Sequence, residues 1–161
     1  MIYLDNSATT RVLPEAADAA YAAMTEQFYN PASAYAPAVA TEKAVEAARA
    51  RLAAALGGAP DELIYTSGGT ESNNMAVFGS LKPLRGKRRI VTTLGEHPSI
   101  YEVFRSLEQA PDTEVVFVGL HPDGTANLDE LAAALTPDTA LVSLMHVSNE
   151  VGAVNDLSAA A

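Results

Sequence analysis

Apolar residues in the first sixty positions recur at helical spacing. Pro14 is typical of a first helical turn, and the face predicted to be buried consists of Ala17, Ala20, Tyr21, Met24 and Phe28. After a break at 30–33 a long alanine-rich helix follows, with a predicted buried stripe of Ala40, Val45, Ala48, Leu52 and Leu56. Gly57, Gly58 and Pro60 then predict its end.

From residue 61 the pattern changes to short apolar runs that alternate with amphipathic segments. The runs at 63–66, 89–94, 115–118 and 141–147 predict strands. Helices are expected from Thr70 or Glu71 towards Leu81, from Ser99 with Glu102 in a capping box, and after Asn127 with Glu130. Near-continuous apolar strands between helices favour an α/β fold, a mostly parallel sheet covered by helices. We therefore expect N-terminal helices in 1–60 and an incomplete sheet domain in 61–161, in which the helix that starts at Asp156 is cut short.

Composition restricts the function. The chain has 161 residues, of which 20 are acidic and 10 basic, so its net charge is −10. This balance argues against nucleic acid or an anionic membrane as the main partner. Because the chain has no cysteine, disulfides, thiolate metal sites and a cysteine nucleophile are excluded within it. The sequence shows no signal peptide and no apolar run of about 20 residues, so we expect a cytoplasmic protein.

Polar turns follow three of the predicted strands, at 67–71, 96–98 and 148–152. Because ligands bind where parallel strands end, we expect these turns to be neighbours. Gly69 and Thr70 open a helix whose free N–H groups suit a phosphate, although such turns also serve as plain strand-to-helix connections. The segment is neither a nucleotide P-loop nor GxGxxG, and the chain has no GxSxG elbow.

Histidine and asparagine residues near these turns are further candidates. His97 could stack on a flat ligand or move protons, or could be an ordinary turn residue. We interpret His121 as a surface residue and His146 as a core residue. Since the three histidines lack metal-ligand spacing, no metal is predicted. Asn149 could bind a ligand oxygen or satisfy a turn, and Glu71 and Glu150 are interpreted as loop or helix-end partners.

Five segments together resemble the cysteine desulfurases, pyridoxal-phosphate enzymes of aminotransferase class V with the large-domain fold of fold type I. They are YLDNSATT at 3–10, NPAS at 30–33, TSGGTESNN at 66–74, EH at 96–97 and HVSNEVG at 146–152. The resemblance covers nearly the whole chain and the N-terminal part of the family's longer sequence. Ser148 is a mild departure, because asparagine is frequent there.

The resemblance implies roles for four residues. Gly69 and Thr70 match contacts to the phosphate of pyridoxal 5′-phosphate, His97 matches the histidine that stacks on its ring and assists proton transfer, and Asn149 matches the asparagine near its phenolic oxygen. It also implies L-cysteine as substrate, a sulfur-acceptor protein, a role in iron–sulfur cluster assembly, and a homodimer or a complementing C-terminal chain. In this fold the strand at 63–66 is separated from the others by strands that come later in sequence, so we expect it to lack neighbours.

Three groups that the resemblance implies for the family's site have no match in this sequence. These are the cysteine that takes the sulfur, the aspartate on the pyridine nitrogen and the lysine that binds the cofactor covalently. Lys43, Lys82 and Lys87 match no such lysine motif. We therefore expect the chain alone to be inactive. Two alternatives stay open: another class V enzyme, such as a selenocysteine lyase or an aminotransferase, and a non-enzymatic binding or assembly module.

Overall fold

The structure, a computed structural model, describes residues 2–82, Gly86 and 88–161. Lys87, one of the lysines considered above, lies outside the described residues. The chain forms two compact units that divide between Tyr65 and Thr66. None of the described helices is both long enough and apolar enough to cross a bilayer.

The N-terminal unit contains helices α1 (Pro14–Thr25) and α2 (Ala36–Ala55) and a short 3-10 helix (Pro60–Glu62). Each begins with a proline in its first turn, where a missing N–H costs nothing. Gly57 follows α2 with a φ of +75°, a conformation that glycine adopts without strain. The predicted helices and the predicted end of the second one are thus confirmed.

The predicted burial of these helix faces is wrong for this unit. Tyr21, Met24 and Phe28 on the first face are 65–70% exposed, and Leu56 on the second is 69% exposed. Ala38 and Ala53 are the buried residues of α2. The apolar spacing is present, but among the described residues of this unit no layer covers those faces.

The described residues of the second unit form four helices and three strands. They are, in order, α3 (Gly69–Leu81), β1 (Arg88–Thr93), α4 (Pro98–Leu107), β2 (Thr113–Val118), α5 (Leu128–Ala134), β3 (Thr139–Val142) and α6 (Leu157–Ala160). The strands form a parallel sheet in the order β2-β1-β3. Helices alternate with parallel strands, so the predicted α/β fold is confirmed.

Neighbouring residues of the central strand β1 build two separate cores, because successive side chains of a strand point to opposite faces. Ile90 packs with Phe104 of α4 and with Val77 and Leu81 of α3. On the other face Val91 packs with a second cluster, made up of Val118, Leu131 and Ala134. The two clusters hold helices on both faces of the sheet, so the ends of the strands are left open at its edge.

Two strand predictions are corrected. Residues 63–66 form no strand: Ile64 is 65% exposed and Tyr65 is 51% exposed, and no described strand pairs with them. The strand predicted at 141–147 ends at Val142, because its pairing with β1 stops there and no other described strand pairs with it. His146 is therefore exposed, and its interpretation as a core histidine is wrong.

Two helix starts also differ in detail from the prediction. The N-cap of α4 is His97 rather than Ser99, so the capping box of Ser99 with Glu102 is wrong. Asn127 caps α5 as predicted, but the Glu130 carboxylate accepts a hydrogen bond from Gly119 N–H at 2.9 Å instead of closing a box on Asn127. Asp156 caps α6, as expected.

Candidate functional site

The N-terminus of α3 presents unused backbone donors. Gly68 is its N-cap and supplies no side-chain hydrogen bond. The first turn therefore leaves the N–H groups of Gly69, Thr70 and Glu71 without a backbone acceptor in the described part of the chain. All three residues are exposed. Such a turn combines free donors with the positive end of a helix dipole and can bind an anion.

The carboxylate in this turn is already engaged. Glu71 Oε2 accepts hydrogen bonds from Ser67 N–H at 2.6 Å and from the Ser67 hydroxyl at 2.8 Å. These two bonds lower the pKa of Glu71, the backbone bond contributing most. The interpretation of Glu71 as a loop partner is confirmed. The negative charge of Glu71 is thus bound by Ser67, in the turn that precedes α3.

The imidazole of His97 is fixed on one side and open on the other. Its Nδ1 accepts a hydrogen bond from Ser99 N–H at 3.1 Å and lies 2.8 Å from the Ser99 hydroxyl. That hydroxyl in turn accepts a hydrogen bond from Asn73 Nδ2 of α3 at 2.8 Å. His97 itself is exposed. The ring can therefore meet a ligand while α3 and α4 hold its position.

Glu96 joins the ends of β1 and β3. Its carboxylate accepts hydrogen bonds from Met145 N–H at 2.7 Å and from the Ser143 hydroxyl at 3.2 Å. Thr93 Oγ1 lies 3.4 Å away. Burial raises the pKa of Glu96, and these hydrogen bonds oppose the rise only in part. The turn that carries His97 is thus tied to the segment that leads to Asn149.

Asn149 lies in a turn beyond this connection. Its Nδ2 donates a hydrogen bond to Glu150 Oε1 at 3.0 Å, and both residues are exposed. The turn is shaped by Ser148, whose Oγ accepts from the N–H groups of Glu150 and Val151. The predicted role of Glu150 as a loop partner is confirmed. In the described part of the chain, the second Nδ2 hydrogen and the Oδ1 of Asn149 make no hydrogen bond, so the amide can still donate to a ligand oxygen.

Hydrogen bonds connect some of the predicted site residues to one another but not all of them. The helix that begins with Gly69 and Thr70 is connected to His97 through Asn73. No hydrogen bond joins Asn149 to His97 or to Thr70 among the residues that the structure describes. The role of each as a cofactor ligand stays a prediction.

Three residues of this arrangement were missed by sequence reasoning, namely Asn73, Ser99 and Glu96. The sequence pattern predicts a capping box for Ser99, although its place two residues after His97 suits a hydrogen bond to the ring. Glu96 is next to His97, but the pattern indicates no contact for its side chain. Asn73 lies 26 positions from its partner Ser99, so no local pattern could pair them.

Other features of the described residues compete poorly as a site for an anion. A depression of about 310 Å³ is lined by His121, Leu128, Asp129 and Asp156, among others. Its two carboxylates would repel a phosphate. No group of three His, Asp or Glu side chains in the described ranges is arranged to hold a metal ion. The α3 turn with His97 is therefore the best-supported candidate.

Known proteins are similar to this chain over nearly its whole length. A cysteine desulfurase IscS of Methylobacillus flagellatus is 43% identical over 162 residues, which cover 98% of this chain and 40% of the relative. The chain thus spans about two fifths of the length of the curated relatives it matches. The resemblance to cysteine desulfurases drawn from the five sequence segments is confirmed.

Solved structures show the same fold. A NifS-like protein superposes with a TM-score of 0.91 at 32% identity, covering 99% of this chain and 44% of that one. A structure titled SspA in complex with cysteine superposes with a TM-score of 0.87 at 29% identity, covering 98% and 46%. The model of the family described as aminotransferase class-V matches residues 2–161. This chain therefore belongs to the aminotransferase class-V family.

Proposed function

We propose that this chain is the N-terminal part of a pyridoxal-phosphate-dependent cysteine desulfurase. The complete enzyme transfers sulfur from L-cysteine to an acceptor protein in the cytoplasm and leaves L-alanine. The observation that carries the proposal is the pairing of an open helix N-terminus at Gly69 and Thr70 with an exposed histidine held by that same helix. A neighbour whose structure was solved with cysteine supports the substrate.

The residues present fit the phosphate of the cofactor. The three N–H groups of the first α3 turn have no other acceptor among the described residues. The carboxylate of Glu71, which would repel an anion, is instead bound to Ser67. Gly68 and Gly69 leave the approach to the turn free, since nothing lies within 4 Å of a Cβ built at either position.

Each candidate residue has a distinct part in this proposal. Gly69 and Thr70 bind the phosphate through their N–H groups, and the Thr70 hydroxyl adds a donor. His97 covers one face of the flat ring and moves a proton at Nε2, the nitrogen that its contacts with Ser99 leave free. Asn149 binds the phenolic oxygen. Bound pyridoxal phosphate supplies the electron sink that lets bonds at the substrate carbon break.

The chain supplies only non-covalent contacts in this scheme. It contains no cysteine to take the sulfur, and we propose that the Schiff-base lysine also comes from sequence beyond the matched region. A complementing C-terminal chain supplies both groups, and the complete enzyme forms a homodimer. The 161-residue chain alone is therefore inactive and holds the cofactor weakly.

Reconstitution tests the proposal. The chain is mixed with a separately produced polypeptide that carries the rest of a related cysteine desulfurase, and pyridoxal phosphate and L-cysteine are added. We expect a cofactor absorption band that borohydride reduces, and sulfide release that neither chain gives alone. Persistent absence of both would favour a non-enzymatic assembly module, whereas sulfide release by the purified 161-residue chain alone would overturn the proposed division of the site.

A matched pair of variants ties the result to α3. Thr70→Val removes the hydroxyl from the proposed phosphate turn, and we expect it to weaken cofactor retention about 10- to 150-fold, as for the loss of one hydrogen bond to a charged group. Thr136→Val makes the same change near the start of β3, at the opposite edge of the sheet, and should leave retention unchanged. Equal effects of the two variants would refute the assignment of Thr70.

A further inference from the structure

We propose that Asn73 and Ser99 are positioning residues that hold the neutral imidazole of His97 in a single tautomer, with the proton on Nε2. The inference deepens the role of His97 under the proposed function, but its test needs no cofactor. It rests on three groups in two helices, α3 and α4. None of the five sequence segments includes Ser99.

The tautomer follows from which groups can donate. Ser99 N–H is a backbone amide and only donates, and it points to His97 Nδ1 at 3.1 Å. A proton on Nδ1 would place two N–H donors against each other, and they would repel. In the neutral ring Nδ1 is therefore the acceptor, and the proton lies on Nε2.

The second donor is oriented by α3. Asn73 Nδ2 donates to Ser99 Oγ at 2.8 Å, so the hydroxyl oxygen already accepts one hydrogen bond. Its own proton is free to point to His97 Nδ1, which lies 2.8 Å away. Nδ1 then receives two hydrogen bonds, one from the backbone and one from the side chain of the same residue. Asn73 and Ser99 are both partly buried, which protects this relay from water.

The relay has a consequence for the site as a whole. Asn73 lies three positions after Thr70 on α3, one helical turn from the proposed phosphate turn. The helix that offers N–H groups to the anion therefore also sets the orientation of the histidine ring. Phosphate binding and proton transfer at Nε2 then both depend on the position of α3. Because the His97 ring is already held in place, ligand binding does not have to order it.

Nitrogen NMR of the 161-residue chain tests the inference directly. Two-bond proton–nitrogen correlations identify the tautomer of each histidine at about pH 8.5, roughly two units above the ordinary histidine pKa of about 6.5. A His97→Gln variant assigns the His97 signals. We expect His97 in the Nε2–H form. A predominant Nδ1–H form would overturn the proposal.

Substitutions then separate positioning from simple stability. Ser99→Ala removes one of the two donors, and the tautomer ratio should shift about 2- to 10-fold towards Nδ1–H, as for the loss of one neutral hydrogen bond. Ser99→Thr keeps the hydroxyl and should restore the ratio. Ser106→Ala makes the same change at an exposed position of α4 and should have no effect. A Ser99→Ala ratio equal to that of Ser106→Ala would refute the role of the hydroxyl.

The role of Asn73 is tested in the same way, which keeps the proposal open to refutation if Ser99→Ala folds poorly. Asn73→Ala should shift the ratio in the same direction as Ser99→Ala. Asn74→Ala removes a neighbouring amide whose one hydrogen bond to a described residue is with Thr70 C=O within α3, and should leave the ratio unchanged. Because no cofactor is added, failure of these results concerns the relay alone, whereas failure of the reconstitution concerns the proposed enzyme.

Discussion

The carboxylate of Glu96 accepts a 2.7 Å hydrogen bond from the backbone N–H of Met145, a residue 49 positions further along the chain. This bond closes the gap between the end of β1 and the segment that follows β3. His97 comes directly after Glu96, and Asn149 comes four residues after Met145. The two turns that carry His97 and Asn149 are thus connected by one partly buried side chain.

We expect the stability of the chain to report the protonation of Glu96. Burial raises its pKa in the folded chain above the 4.5 of an exposed glutamate, so the folded state binds the proton more tightly than the unfolded state. The contribution of Glu96 to the free energy of unfolding is therefore complete below about pH 4.5 and is lost as pH rises through the raised pKa. Glu96→Gln stays neutral, so the stability of the wild type relative to this variant should fall as pH rises.

Urea unfolding of both proteins at several values between about pH 4 and pH 7 measures this difference, because the other carboxylates contribute equally to each. Glu102→Gln, on the exposed side of α4, controls for the loss of a surface charge. A stability difference between wild type and Glu96→Gln that grows with pH in favour of the wild type would contradict the raised pKa.

Glu71 and Glu96 should titrate in a fixed order. Hydrogen bonds from Ser67 lower the pKa of Glu71, while burial raises that of Glu96. Carbon NMR of the side-chain carboxyls should therefore show Glu71 losing its proton at lower pH than Glu96. Ser67→Ala removes the hydroxyl but keeps the backbone donor, so the Glu71 midpoint should rise only part of the way towards 4.5. The reverse order, or a shift of Glu96 in Ser67→Ala, would contradict the assigned causes.

The elements that the sequence predicted well are those fixed by local pattern. The end of α2 at Gly57 and the apolar runs that form β1 and β2 have clear local signals, and the parallel sheet follows from the alternation of strands with helices. The prediction of a strand at 63–66 is wrong, because a strand needs a neighbouring strand and none of the described residues pairs with this segment. The predicted burial of Met24 and Phe28 is wrong for the same reason. Helical spacing shows that a face is apolar, but it does not show what covers that face.

In the candidate site, too, local patterns predicted the turns but did not predict the contacts between residues far apart in sequence. The rule that ligands bind at strand ends led to Thr70, His97 and Asn149 because each lies in a recognisable turn. The contacts that hold those turns, such as Asn73 with Ser99 and Glu96 with Met145, join residues 26 and 49 positions apart. Pairings over such distances depend on how helices pack on the sheet, which periodicity does not encode.

The core of the second unit should depend strongly on Phe104. Its side chain is fully buried against Ile90, Val77 and Leu81. Phe104→Ala leaves a cavity between α4 and the sheet, and should lower the free energy of unfolding by about 3–5 kcal/mol. Phe78→Ala makes the same change on α3 at a residue that is 49% exposed, and should cost less than half as much. Equal losses in urea unfolding would contradict the packing described here.

Asn155 should be the most important asparagine for stability, although it lies outside the candidate site. It is 8% exposed, its Oδ1 accepts a 2.7 Å hydrogen bond from Ala126 N–H, and its Nδ2 donates a 2.7 Å hydrogen bond to Met145 C=O. Asn155→Ala leaves both backbone groups without this partner, and we expect a loss of about 1–3 kcal/mol for each group that stays dry. Thermal and urea unfolding measure the total.

Asn149→Ala is the matched control for this experiment. Asn149 is exposed, and its one side-chain hydrogen bond within the described chain is with exposed Glu150, so the change should be within about 0.5 kcal/mol. The same variant should weaken cofactor retention in the reconstituted enzyme, whereas stability and retention would change together if Asn149 only shaped its turn. A large loss of stability in Asn149→Ala would therefore remove the support for its role as a ligand to the cofactor.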